Sequence, residues 1–94
     1  MHQDDCRAIA DKLGCAVSFI NPTVSGLADE AKFSVRVGGI RKYWVHADVE
    51  FGGQPIDEAL ELVRGKLLLA LRSTKLDVGE SYLKQARERL MQAR

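Results

Sequence analysis

Lys32-Phe33-Ser34-Val35-Arg36-Val37-Gly38-Gly39-Ile40-Arg41-Lys42-Tyr43-Trp44-Val45-His46-Ala47-Asp48-Val49-Glu50-Phe51 is the stretch that decides the fold. Phe33, Val35 and Val37 alternate with Lys32, Ser34 and Arg36. After the glycine pair, Tyr43, Val45, Ala47, Val49 and Phe51 alternate with Trp44, His46, Asp48 and Glu50. Successive side chains of a strand point to opposite faces, so each run has one apolar and one polar face. Two such runs joined by a Gly-containing loop predict a β-hairpin with one buried side.

The loop also predicts a register. If facing positions sum to 80, Val37 opposes Tyr43, Val35 opposes Val45 and Phe33 opposes Ala47 on the apolar side. On the polar side Arg36 opposes Trp44, Ser34 opposes His46 and Lys32 opposes Asp48. A cation over an indole and an ion pair across strands each contribute about 0.2–1 kcal/mol. A one-residue slip would bury charges, which pins the faces more firmly than the register.

Upstream, Asp4 or Asp5 can cap a helix over 4–13. Its Cys6, Ile9, Ala10 and Leu13 share one face, and Gly14 suits the position just past its end. Cys15 to Ile20 reads as a strand over 15–20, with Asn21-Pro22 as the turn that ends it and 21–30 as a surface loop. The hairpin strands are expected at 31–38 and 43–51. Downstream, Gly52-Gly53-Gln54-Pro55 breaks the strand, Pro55 suits the first position of a helix over 55–72, and Asp57 and Glu58 favour its first turn. Ile56, Leu60, Val63, Leu67 and Ala70 or Leu71 line its main apolar face, while Leu62 and Leu69 lie off that stripe and can be covered by a last helix. That helix is expected over 77–91, with Asp77 as its cap and Leu83, Ala86 and Leu90 as its apolar stripe. The expectation is one α+β domain over 1–94 in the order α-β-β-β-α-α. It is a two-layer sandwich with helices on the apolar face of a three-stranded antiparallel meander.

Composition narrows the function classes. Ninety-four residues leave room for one core, and 46% hydrophobic with 29% charged residues is an ordinary globular mixture. A net charge of +1 argues against a dedicated polyanion binder, which normally carries a basic excess. The charge is uneven, because residues 32–94 hold twelve basic against eight acidic side chains. The opening Met-His-Gln-Asp-Asp is acidic where a secretory leader is basic. The longest apolar run, Leu67 to Leu71, is too short to cross a bilayer, so a cytoplasmic protein without membrane partners is expected. In that compartment Cys6 and Cys15 are expected as free thiols.

Reactive constellations are sparse. His2, Cys6, Cys15 and His46 lack the short paired spacing of a structural zinc site, and no metal or cofactor is expected. Cys6 and His46 fall on opposite sides of the sheet, which denies them a nucleophile–base pairing. Asp48 and Glu50 project from one strand face roughly 6.5–7 Å apart, but nothing in the pattern suggests a cleft around them. Gly38-Gly39 and Gly52-Gly53 match no phosphate-cradling motif. The protein is therefore expected not to be an enzyme.

The order α-β-β-β-α over about residues 4–72 resembles that of double-stranded RNA-binding domains. In that family the start of the second helix carries a lysine cluster that grips phosphates. The matching segment here, Gly52-Gly53-Gln54-Pro55-Ile56-Asp57-Glu58-Ala59, is acidic, which argues against that mode of RNA binding. The same order with a further C-terminal helix also resembles small phage-encoded anti-CRISPR inhibitors, and that resemblance implies a domain that blocks a partner by occupying its surface. Trp44, the one tryptophan, falls on the polar sheet face beside Arg36 and His46, and tryptophan and arginine are enriched in binding hot spots. The reading is a non-enzymatic, inhibitor-type interaction module. It would use Lys32, Arg36, Arg41, Lys42, Trp44 and His46 to bind another protein, a protein–nucleic-acid complex or a second copy of itself. Direct nucleic-acid binding through the same basic hairpin is the alternative.

Overall fold

The computed structural model describes residues 3–14, 20–24, 30–38, 43–74 and 80–92. The elements run α1 (Gln3–Gly14), β1 (Ile20–Val24), β2 (Glu30–Val37), β3 (Tyr43–Glu50), α2 (Ile56–Ser73) and α3 (Glu80–Gln92). The three strands form one antiparallel sheet in the order β1-β2-β3. This is the expected α+β architecture, and the β2–β3 register is the one that sums to 80. Val37 faces Tyr43, Arg36 faces Trp44, Ser34 faces His46 and Lys32 faces Asp48.

The alternation sorts the two faces as physical chemistry requires. Ala31, Phe33, Val35 and Val37 of β2 and Val45, Ala47 and Val49 of β3 are all buried. Ile20 and Pro22 of β1 pair with Val35 and Phe33 and are buried on that same side. The helices close over it. α1 packs on β1, α2 on β3 and β2, and α3 against α2 and β2. Cys6, Ile9, Ala10 and Leu13 from α1 meet Ala59, Leu60, Val63, Leu67 and Leu71 from α2 and Leu83 and Leu90 from α3 in one core. Phe33 is fully enclosed and meets Phe51 edge to face, with centroids 6.5 Å apart at 75°. That geometry suits the ring quadrupoles and adds about 0.5–1.5 kcal/mol beyond area burial.

Three expectations need correction. The described part of the first strand is 20–24, so Asn21 and Pro22 belong to a strand instead of ending it and opening a loop; the expected strand residues 15–19 fall outside the described residues. β1 is an edge strand, the one position in a sheet where a proline's missing N–H need not break a ladder. Second, α2 begins at Ile56, and Pro55 is its N-cap in extended conformation, accepting a 3.0 Å hydrogen bond from the Ala59 N–H. Third, α3 packs on α2 yet leaves Leu69 60% exposed, so the off-stripe leucines are not both covered. Leu62 is half-buried, while Leu69 stands in solvent. Elsewhere the strand and helix limits move by one or two residues, and Gly14 is taken into α1. The start of α3 at Glu80 follows residues 75–79, so its expected cap Asp77 falls outside the described residues.

Two glycines end β-structure with positive φ, Gly38 at 104° and Gly53 at 78°. A side chain is strained in that region whatever the space around it. Gly65 is the opposite case, a solvent-facing residue inside α2 where an added Cβ meets nothing within 4 Å. Gly65→Ala should therefore stabilise the fold by about 1 kcal/mol through helix propensity. Gly53→Ala should destabilise it by about 1 kcal/mol. Urea denaturation of the two variants measures both, and a destabilising Gly65→Ala would contradict the placement of α2.

Candidate functional site

No helix among the described residues covers the outer face of the sheet. Lys32, Trp44, His46, Asp48 and Glu50 are exposed on it, and Arg36 is half-buried. Ser34, in the middle of the central strand, is covered by its neighbours to 8% exposure. Its Oγ shares a 2.8 Å hydrogen bond with His46 Nδ1, the residue directly across the ladder. That bond satisfies a nearly buried hydroxyl and holds the His46 ring in one orientation on an otherwise open surface.

Of the expected binding residues, the sheet brings Lys32, Arg36, Trp44 and His46 onto one face along two adjacent strands. Trp44 is 42% exposed, so more than half of its indole rests on the protein. Arg41 and Lys42 lie outside the described residues.

Each end of this face carries a feature absent from the sequence-level list. At the hairpin end a small pocket of about 160 Å³ separates the end of β2 from α3. Arg36, Val37 and Gly38 line it on one side, and Tyr82, Gln85, Ala86 and Arg89 on the other. The α3 residues follow an i, i+3, i+4, i+7 spacing, which is one helical face. Tyr82 is 43% exposed there. That spacing was visible in the sequence, but the strand end that faces it was not.

At the other end lies a wider groove of about 800 Å³. Val24, Ala31, Val49 and Leu62 supply its apolar lining, and Glu30, Lys32, Asp48, Glu50 and Lys66 its charges. Asp48 and Glu50 thus do border a cleft, contrary to the expectation, because α2 and the end of β1 rise beside them. The closest carboxyl pair is a different one. Glu30 and Glu50 face each other directly across β2 and β3. Glu30 hydrogen-bonds to Glu50, and this bond, then the repulsion of its charge, and lesser contributions from desolvation and Asp48, hold its carboxyl above the ordinary glutamate range. A hydrogen bond to the protonated form and a like charge nearby both favour keeping the proton on Glu30.

Reactive chemistry has few other footholds. Cys6 is buried in the core, and burial is the main reason its thiol is pushed up from its ordinary value. A protonated, enclosed thiol is a poor nucleophile. Among the described residues no three histidine, cysteine or acidic side chains come together in a way that could hold a metal ion. No helix among them is long and apolar enough to cross a membrane. No family model, curated protein or solved structure matches the chain.

The Glu30–Glu50 pair sets a pH dependence whose sign follows from the raised carboxyl. A glutamate held above its unfolded value stabilises the fold below the ordinary glutamate range and loses that contribution as pH rises through the folded value. Glu50→Gln removes the repulsion. Relative to this variant, the unmodified protein should lose thermal stability as pH rises through and above the ordinary glutamate range. Melting curves across that range test it, and identical pH profiles for the two proteins would contradict the raised Glu30 carboxyl.

Proposed function

We propose that the protein is a non-enzymatic binding module that captures another protein, or a protein–nucleic-acid complex, on its open sheet face. The observation that carries this reading is a helix-free face bearing a partly exposed Trp44 opposite Arg36. Tryptophan and arginine are both enriched where binding energy concentrates. Both residues sit on regular strands, so little side-chain entropy is lost when a partner settles on them. Occupying a partner's surface is an action open to such a domain, and it matches an inhibitor-type role.

Size helps to define the footprint. Three strands about 4.8 Å apart and up to eight residues long present roughly 400 Å² in projection. A stable interface takes about 800 Å² from each partner. The sheet face supplies about half, so the contact extends past its rim onto the hairpin and the exposed side of α3. Tyr82 and Arg89 join the candidate surface on that argument.

Charge weighs against an extended nucleic acid on the same face. Arg36 marks one end, while Glu30, Asp48 and Glu50 gather at the other. Arg36 lies six residue steps along the strand from Glu30, roughly 20 Å. That exceeds the screening length of about 8 Å at physiological salt, so the two ends present separate fields. A phosphate chain long enough to cover the face would meet the carboxylates.

The test is capture from the native host with the tagged protein. Trp44→Ala combined with Arg36→Ala should abolish it and leave the unfolding midpoint nearly unchanged, since neither side chain belongs to the core. Full capture by the double variant would remove this reading.

A further inference from the structure

We propose that the pocket between the end of β2 and α3 receives a single carboxylate, an aspartate or glutamate side chain of the partner protein. This assignment rests on the reading of the sheet face as a protein-binding surface and names the chemistry at one point of it. Arg36 and Arg89 line the pocket from two different elements, β2 and α3. Neither forms an ion pair with another described residue. No acidic side chain is found among its described lining residues.

Two arginines brought to one small cavity with no described carboxylate between them repel each other and favour any anion that arrives. An arginine presents several N–H donors in a planar fork that matches a carboxylate's two oxygens. Gln85 adds an amide able to donate to the same anion, and Tyr82 a hydroxyl and an aromatic wall for the carbon stem that carries it. The volume of about 160 Å³ admits one acidic side-chain head and leaves no room for a nucleobase with its sugar. Val37 and Ala86 make part of the wall apolar, which lowers the local dielectric and strengthens a charged contact.

A carboxylate is favoured over a phosphate of a nucleic-acid strand for the reason given by the opposite end of the face. A strand continuing from this pocket across the sheet would run towards Asp48, Glu50 and Glu30. An acidic residue on a folded protein demands no such continuation. The partner is thereby described in part: it carries a carboxylate at the hairpin end and tolerates or complements acid at the other.

The test needs no partner. An amide and arginine Nε–H NMR titration of the intact chain uses a blocked tri-glutamate peptide as probe. Blocked tri-glutamine, inorganic phosphate and a short single-stranded DNA serve as comparators. Tri-glutamate should shift the signals of Arg36, Val37, Gly38, Gln85 and Arg89, and tri-glutamine should not. Arg36→Gln and Arg89→Gln should each weaken the effect about tenfold, as expected for loss of a charge-assisted contact. Arg89 is exposed, so its variant keeps the dispersed spectrum of the folded chain. Shifts that are absent, or unchanged by both substitutions, overturn the pocket. Tighter binding of phosphate or DNA at these residues overturns the carboxylate assignment. Failure of host capture to depend on Trp44 and Arg36, with peptide binding intact, would sink the sheet-face reading and leave the pocket standing.

Discussion

The pairing of β2 with β3 is the constraint from which the remaining features follow. Phe33 opposite Ala47 sets a large side chain against a small one on the inner face, and Val35 opposite Val45 matches two of equal size. Because the strand period is two, that match also dictates everything outside. It places Arg36 by Trp44, Ser34 by His46, Lys32 by Asp48 and Glu30 by Glu50. A slip of one residue would turn lysine, arginine and aspartate towards α2 and expose valines, at a cost no surface contact could offset. The core therefore determines the binding face, even though no binding residue belongs to the core.

That face is electrostatically polar along the strands. Its hairpin end gathers arginines from β2 and α3, and its far end gathers the carboxyls of Glu30, Asp48 and Glu50. The two ends share a backbone ladder but differ in what they can do. One is a small cavity able to enclose a single anionic group. The other is a broad groove with an apolar floor and mixed charge, where Lys32 and Lys66 moderate the acids. A partner that spans both must match a field that changes sign within about 20 Å, which favours a protein surface over a uniform polyanion.

Much of this was legible in the sequence, and the reason differs by element. Residues 32–51 could be read to the register because alternation and a short loop together leave one pairing that buries no charge. The helices could be read from their apolar stripes. Asn21-Pro22 misled because proline signals a turn in isolation, whereas an edge strand absorbs it. Leu69 misled because a second apolar flank implies cover, and α3 lies too far round α2 to provide it. The Arg36–Arg89 pocket and the groove beside Asp48 depend on how helices dock against strand ends, more than 50 residues apart in sequence for the first. No local pattern encodes that. The facing of Glu30 and Glu50 did follow from the sum of 80, but Glu30 was assigned to a loop, one residue short of the strand it begins.

The register can be read directly in solution. Cross-strand nuclear Overhauser contacts between backbone protons should join Phe33 with Ala47, Val35 with Val45 and Ser34 with His46. Contacts that instead set Val35 opposite His46 or Trp44 would mean a shifted ladder. The binding face, the arginine pocket and the carboxyl pair derived from this register would then all be wrong together.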